Sequence, residues 1–449
     1  MENKKVFFNC GELLCAKRFR ELREALAAEN AVDVAGFLEE LPQEQAVLAF
    51  RTLPKEQAAE VFSNLFPEAQ QVIVESITDQ ELSEIVEDLF VDDAVDMLEE
   101  LPANVVRRVL KQARPETRRL INQFLQYPEG AVGSIMTAEF IDLNKAATAG
   151  EAIRRVRKMG ADCEAIYTCY VTDGQRRLEG VVTLRQLLLA DDGQCIGDLM
   201  EPDVITAQTT DDQELAVNRM MRYDFLTLPV VDREGRLVGV VTVDDVMDVM
   251  EEEATEDFEK MAAMAPSEKP YLKTGVFALA KNRILWLMVL MVSGMITGGI
   301  LGRYEEAFAV LPLLVTFIPM LTDTGGNAGS QSSTLVIRGM AVGEIAPADF
   351  PKVVWKELRV SVVVGAALAA VNFARLALQF PGSEMISLTV TLALFATVVI
   401  AKTVGGLLPM AARLIKADPA IMAAPLITTI VDALSLMIYF SIAKQLLRI

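Results

Sequence analysis

Histidine is absent from all 449 residues. That removes His-based nucleophile dyads and His-containing zinc sites from consideration, since both need a neutral imidazole. Cysteine is scarce: Cys10, Cys15, Cys163, Cys169 and Cys195 make an odd, widely spaced set. Such a set fits free thiols in a reducing cytosol and not a disulfide scaffold. Cys10 and Cys15 are near enough in sequence to pair or share a metal, but no second pair accompanies them. The first twenty residues hold no apolar run of signal-peptide length, so the soluble region that follows is expected to stay in the cytosol. Basic residues are outnumbered, 42 Lys+Arg against 62 Asp+Glu, which disfavours a nucleic-acid binder.

What is present divides the chain in two. It is 52% hydrophobic and 23% charged, with a mean hydropathy of +0.31. Up to Thr274 there are 29 Lys+Arg against 53 Asp+Glu; beyond it, 13 against 9. An acidic soluble module is therefore fused to a membrane module, and the fold class is a multidomain membrane protein.

In an N-domain of residues 1–130, helix starts recur about every twelve or thirteen positions from residue 30 to 130. Pro42, Pro54 and Pro67 each follow a leucine or phenylalanine and open PQEQ, PKEQ and PEAQ. Asp79, Asp92, Pro102 and Pro115 continue the rhythm. Proline at the first helical position, with acids in the first turn, starts a helix: that turn needs no amide donor and its dipole favours negative charge. Apolar residues at helical spacing, such as Ala46, Leu48, Ala49 and Leu53, fill the intervals. The pattern predicts an α-solenoid N-domain, a fold used for binding or regulation.

Residues 131–198 and 199–250 read as two copies of a β-α-β unit. Each closes with an apolar strand, a D-G or E-G turn and then GVVT. The pair resembles α/β CBS domains, cytosolic modules that sense adenine nucleotides or ions. Gly239, Thr242 and Asp245 match that family's GhhTxxD element, whose acid reaches a ribose. Thr242 and Asp245 are thereby implied as contacts for an adenine nucleotide such as ATP. In the first copy Gln186 stands in the acid's place, which puts a nucleotide site there in doubt. A connecting helix from Val246 to about residue 265, ended by Pro266 and Pro270, leads through residues 246–273 to the membrane.

Residues 275–449 predict an all-α membrane domain of five helices, at 284–301, 308–321 continuing to about 337, 353–374, 386–410 and 421–443. Each is long enough for ~30 Å of hydrocarbon at ~1.5 Å per residue, the second only with its glycine-rich stretch. With the N-terminus inside, Arg338, Lys352, Lys356 and Arg359, then Arg413 and Lys416, fall in cytosolic loops, as the positive-inside tendency asks. Lys444 and Arg448, at an external C-terminus, oppose it.

Asp432 lies alone in the last apolar segment, ~16 Å along it by helical rise. A carboxylate there costs several kcal/mol unless it faces water, a cation or a partner. Thr428 and Ser435, four before and three after it, share its face. It either lines a pore or sits in a buried ion pair or as a protonated packing residue. The candidate partner is Lys402, but its depth places it ~10 Å away near the cytosolic edge, free to snorkel. The stretch TDTGGNAGSQSSTLVIRG, with Gly325, Gly326, Gly329, Asn327 and Gln331, is expected as irregular polar backbone beside a permeation route. The other reading is a small-residue packing motif, as at Gly294 and Gly298. A phosphate-binding loop is not indicated, because no Gly-Lys-Ser/Thr follows.

Over essentially its whole length the chain resembles the MgtE-type magnesium transporter family. The domain order is that family's, and TGGNAGSQSSTLVIRG with the lone Asp432 matches its membrane signature. The resemblance implies a homodimeric Mg²⁺ channel in the inner membrane, not an enzyme, with the pore on the dimer axis. Asp432, Asn327, Gly325, Gly326 and Thr428 would form the ion site. Two carboxylates facing one axis attract a divalent ion far more than a monovalent one, and Mg²⁺ gives up its water reluctantly. The family closes when cytosolic Mg²⁺ joins its soluble domains. Matching acids are Asp92 and Asp96 in the N-domain, where Asp92 and Asp93 could exchange roles. The second CBS copy offers Asp212, Glu214, Asp224, Asp245 and Asp248, and the connecting helix Glu253, Glu256 and Asp257. The bland reading is a solvated acidic surface.

Two rivals stand beside this. One is a proton- or Na⁺-coupled divalent cation transporter with Asp432 as a titrating carrier site. The other is a membrane-anchored nucleotide sensor that moves no ion. The residues alone do not rank Mg²⁺ above Co²⁺, Mn²⁺ or Ni²⁺; lacking His and membrane Cys, they argue only against soft-metal ligation.

Overall fold

The computed structural model describes residues 2–161, 163–267, 271–272, 274–304, 311–422 and 424–448. They form two compact units, Met1–Met250 and Glu251–Ile449.

The first unit begins with ten helices, from Glu2–Cys15 to Pro115–Phe124. From Ala31–Glu40 onward each has eight to ten residues. Helices this short are not stable alone and persist by stacking their apolar faces. Val34, Leu38, Phe62, Val74, Leu82, Val86, Val95 and Val109 make that shared core. Pro67 and Pro115 take the first helical position as expected. Pro42, Pro54 and Pro102 stand one residue earlier, as caps. The ring's fixed φ suits either place, and a capping proline still gives its carbonyl to the first helical bond, as Pro42 does to the Ala46 amide at 2.9 Å.

The two β-α-β copies follow. Strands β1 (Asp142–Asn144), β2 (Thr168–Thr172) and β3 (Leu178–Thr183) form one sheet in that order, with β1 parallel and β3 antiparallel to β2. Strands β4 (Ala207–Gln208), β5 (Thr227–Val231) and β6 (Leu237–Thr242) repeat it. The copies exchange edges. Thr137, ahead of β1, pairs with Val240 of β6, and Glu201, ahead of β4, pairs with Val181 of β3. This crossing explains the glycine in each GVVT: a Cβ on Gly239 would lie 2.8 Å from the Thr137 carbonyl, and one on Gly180 2.9 Å from the Glu201 carbonyl. The connecting helix spans Val243–Met261. It ends earlier than expected because Ala263 takes a left-handed conformation, φ 54°.

The second unit holds helices Val276–Gly302, Ile318–Ala341, Phe350–Gln379, Glu384–Leu414 and Ala424–Leu447. They are called here the first to fifth membrane helices. All but the second are long and apolar enough to cross a membrane. The second starts at Ile318 after a 3₁₀ turn, Pro312–Phe317, and some of its expected beginning lies outside the described residues. It also corrects the expectation of irregular backbone, being one unbroken helix. Its hydroxyls bond back to its own carbonyls, Thr322 to Ile318 at 3.1 Å and Ser330 to Gly326 at 2.9 Å. Its glycines admit neighbours instead of bending it. A Cβ on Gly405 of the fourth helix would sit 2.2 Å from the Gly329 carbonyl oxygen, so these two backbones touch. Leu314, Leu321, Val398, Ala401, Val431, Tyr439 and Phe440 fill the core between the helices. No residue of the first helix is buried.

Candidate functional site

The second and fifth membrane helices enclose a cleft of about 320 Å³. Its walls are Pro319, Thr322, Asp323, Gly326, Asn327, Thr428 and Asp432. Thr322, Asp323, Gly326 and Asn327 share one helix face, and Thr428 stands one turn from Asp432. Gly326 lets the fifth helix close in: a Cβ there would meet the Thr428 methyl at 2.9 Å. Thr428 donates its hydroxyl hydrogen to the Pro425 carbonyl at 2.9 Å, leaving its oxygen lone pairs for another donor.

Four of the five residues expected at the ion site therefore meet here: Asp432, Asn327, Gly326 and Thr428. Gly325 does not. It is buried against Thr397, Val431 and Ser435, because it lies a third of a turn off the cleft face. Lys402 is no partner of Asp432, nor does it snorkel. It is 6% exposed, with its ammonium 3.4 Å from Gln331 Oε1 and 3.5 Å from the Ser332 hydroxyl. That hydroxyl donates to Glu357 at 2.6 Å. Sequence reasoning passed over Asp323, although its spacing of four from Asn327 placed it on the same face.

A second cluster lies in the first unit. Asp92 comes from the first turn of helix Val91–Glu100 and Asp245 from the first turn of the connecting helix. Glu164 comes from the loop between helix Ala149–Met159 and β2. One carboxylate oxygen from each lies within 4.8 Å of the others. Thr242 donates its hydroxyl to Asp245, and approaches Glu164 Oε1 at 3.3 Å. Burial first, then the Glu164 and Asp245 charges, hold the Asp92 carboxyl well above the usual range. Burial and the Asp245 charge push Glu164 up to about 7. Burial raises Asp245 to about 6 against the opposing Thr242 bond, and burial with the Asp245 charge raises Asp93 to about 6. Glu164 was missed because its contribution depends on tertiary placement, not local spacing.

The other expected acids scatter. Asp96 and Asp248 are exposed. Asp212 caps helix Gln213–Tyr223 by accepting from the Glu214 amide, and Asp224 ends that helix with φ 54°. An eleven-residue helix separates its ends by ~16 Å, so Asp224 shares no ion with Asp212 or Glu214 of the same chain. On the connecting helix, Glu253 and Asp257 are partly buried, and burial with the Asp418 charge raises the Asp257 carboxyl. Glu256 binds Lys260 at 2.6 Å, and Lys260 also reaches Asp418, just ahead of the fifth membrane helix, at 2.6 Å. In the first CBS copy Gln186 completes a capping box with Thr183.

A helical-repeat module, a CBS-like pair and an apolar helix bundle with an acidic cleft are the parts expected of a membrane protein that handles cations. The divalent cation transporter model of MgtE matches residues 318–442, the MgtE intracellular N domain 29–130, and the CBS domain 132–193 and 196–252. A magnesium transporter MgtE of Thermus thermophilus is 37% identical over 80% of both chains. One of Bacillus subtilis is 33% identical over 80% of this chain and 78% of its own. The chain belongs to the MgtE family. Among solved structures, the ATP-complexed cytosolic domain of an Mg²⁺ channel MgtE is 38% identical, with a TM-score of 0.52, over 54% of this chain and 99% of that one. The soluble part of a magnesium transporter is 28% identical, with a TM-score of 0.54, over 56% and 99%.

Proposed function

We propose that this protein is a homodimeric Mg²⁺ uptake channel of the inner membrane, closed by Mg²⁺ binding to its cytoplasmic acids. One observation supports the ion path above all. Asp323, Asn327 and Gln331, at four-residue spacing, form an exposed polar stripe on a membrane helix of the single chain. Facing lipid, that stripe would cost several kcal/mol per charge. A second copy laid against it turns the cost into a shared, hydrated route between two Asp432 residues. The ion is cargo here and keeps most of its water, because Mg²⁺ dehydrates reluctantly. On this reading the N-domain and CBS pair are cytoplasmic and the C-terminus is external.

Closure falls to the acids of the soluble module. Asp92, Glu164 and Asp245 suit a hard divalent cation: all three offer oxygen, and Glu164 Oε2 is buried without a hydrogen-bond partner. A bound cation supplies the positive charge the cluster lacks; the residues themselves bring the N-domain, the first CBS copy and the connecting helix together. Asp96, Asp212, Glu214, Asp224, Asp248, Glu253, Glu256 and Asp257 then offer further weak sites. An adenine nucleotide such as ATP is assigned to the CBS pair, with Thr242 and Asp245 as contacts.

The test is Mg²⁺ influx into liposomes holding the purified protein, beside Asp432→Ala. A sharp change in rate or selectivity supports the path. Influx indifferent to the substitution moves the ion site elsewhere, and no influx from folded protein at low internal Mg²⁺ overturns the channel. Influx that follows an imposed pH or Na⁺ gradient would favour coupled transport.

A further inference from the structure

Asp323 and Asp432 line the same cleft, and among the described residues neither makes a hydrogen bond or ion pair. Asp323 borders that cleft from the second helix and Asp432 from the fifth. Among the described residues Lys402 is the buried lysine, and it is engaged with Gln331 and Ser332. Two unpartnered like charges in a membrane segment repel each other and lack solvation; a proton relieves one of them, whereas a cation between or beside them relieves both.

The helix register gives their order along the path. The second and fifth membrane helices run antiparallel, with Gly325 against Val431 and Ser435, and Gly329 against Ile427 and Val431. Extending that register sets Asp323 opposite residue 434 or so, about two residues or ~3 Å from the level of Asp432. The offset is toward the C-terminal, outward end of the fifth helix. Thr322 lies beside Asp323 with its hydroxyl hydrogen committed to Ile318 and Pro319 carbonyls at 3.1 and 3.2 Å. Its oxygen can then accept from a hydrated ion's water, as can those of Asn327 and Thr428.

We propose that Asp323 is a second ion-holding carboxylate of the path, on the outer side of Asp432, and that it sets the strength and divalent preference of ion capture. This rests on the pore reading of Asp432 given above. In a pair of subunits the site then presents four carboxylates instead of two. Its cargo is a hydrated divalent cation, held through water by the neutral oxygens and by charge from two levels.

The magnitude follows from Coulomb's law. One carboxylate acting on a divalent ion ~6 Å away alters binding about tenfold even at the dielectric of bulk water, and more in a narrower path. Removing the charge at Asp323 therefore raises the half-saturating Mg²⁺ concentration about tenfold or more and lowers the Mg²⁺-over-K⁺ flux ratio.

The experiment compares full-length wild type, Asp323→Asn, Asp323→Glu and Asp432→Asn in liposomes at low internal Mg²⁺. Flux is measured against external Mg²⁺ and against K⁺, and circular dichroism reports folding of each variant. The expected result is a raised half-saturation and reduced divalent preference in Asp323→Asn, largely restored in Asp323→Glu, with Asp432→Asn also altered. Wild-type half-saturation and selectivity in folded Asp323→Asn, with Asp432→Asn altered, would overturn the proposal and leave the pore reading intact. Indifference of flux to both substitutions would overturn both. An equal defect in Asp323→Asn and Asp323→Glu would assign Asp323 to packing and overturn its role as a charge.

Discussion

The carboxylate cluster makes the soluble unit's stability depend on pH in a direction that Mg²⁺ should reverse. Asp245 and Asp93 have pKa values of about 6 in the folded chain, and Glu164 about 7, against ordinary values near 4. A carboxylate whose pKa is raised by folding binds its proton more tightly in the folded state. Its contribution is fully present below about pH 4 and is lost as pH climbs through 6 to 7. Between pH 5 and 7.5, Asp245 alone accounts for about 1 kcal/mol and Asp93 for a similar amount, with Glu164 adding in the same direction. Glu164, with the higher pKa, accounts for about 2 kcal/mol more, so without divalent ions the unit should lose about 4–5 kcal/mol over that interval. Saturating Mg²⁺ at one hundred times its dissociation constant returns about 3 kcal/mol at pH 7.5 and much less at pH 5, where protons compete. The assay is urea-dependent proteolysis of full-length protein in detergent, at both pH values, in EDTA or Mg²⁺, with Asp92→Asn as the control. That control should flatten the pH dependence and blunt the Mg²⁺ effect together. If stability in EDTA rises from pH 5 to 7.5, or Mg²⁺ protects equally at both, the cluster does not hold the ion.

Lys260→Met removes the ammonium that Glu256 and Asp418 share, leaving both acids with Asp257 for a divalent ion. The midpoint of Mg²⁺ protection against protease at the end of the connecting helix should fall to lower Mg²⁺; an unchanged or higher midpoint would contradict this. Gly405→Val places a Cβ 2.2 Å from the Gly329 carbonyl oxygen, so the second and fourth membrane helices must separate, and a loss of about 2–3 kcal/mol should show as a lower melting temperature in detergent. Lys402→Met strips the Ser332–Glu357 pair of its neighbouring cation; it should destabilise the same bundle by about 1–3 kcal/mol, and added Glu357→Gln should recover some of that in the same melt.

The solenoid and the CBS pair were legible because each is written as a repeat. Prolines and acids mark the helix starts, and GVVT marks each hairpin. Pro42 and Pro67 show the limit of that reading, since one ring caps its helix and the other opens it with no difference in the surrounding pattern. In the glycine-rich segment the expectation of irregular backbone failed and the packing reading held, for a physical reason. Glycine signals bending when read alone, but against Gly405 and Thr428 it signals contact, and only the neighbouring helices decide between them. Asp432 stood out because a lone carboxylate in an apolar run is costly unless it meets water, a cation or a partner. Asp323, set among polar residues, carried no such contrast, and Glu164 is joined to Asp92 and Asp245 only by tertiary folding.

On the proposed reading, the same cluster gives an acidic soluble unit a way to respond to a cation. Two ionised carboxylates at 4.8 Å repel by about 3 kcal/mol at an effective dielectric of ~20. Asp92 belongs to the N-domain and Asp245 to the connecting helix, so this repulsion pushes apart segments that are distant along the chain. Protons relieve it in acid, and a divalent ion relieves it at neutral pH. The apolar contacts of Val91, Ala94 and Val95 with the rest of the core keep acting whichever of these is present. On the proposed reading, cation concentration sets the balance between a fixed apolar attraction and a switchable repulsion. Asp245 stands in the first turn of the helix Val243–Met261, and Lys260 in its last turn binds Asp418 through its ammonium. A change in how firmly the first turn of that helix is held thus begins on the element whose last turn is tied to the loop ahead of Asp432.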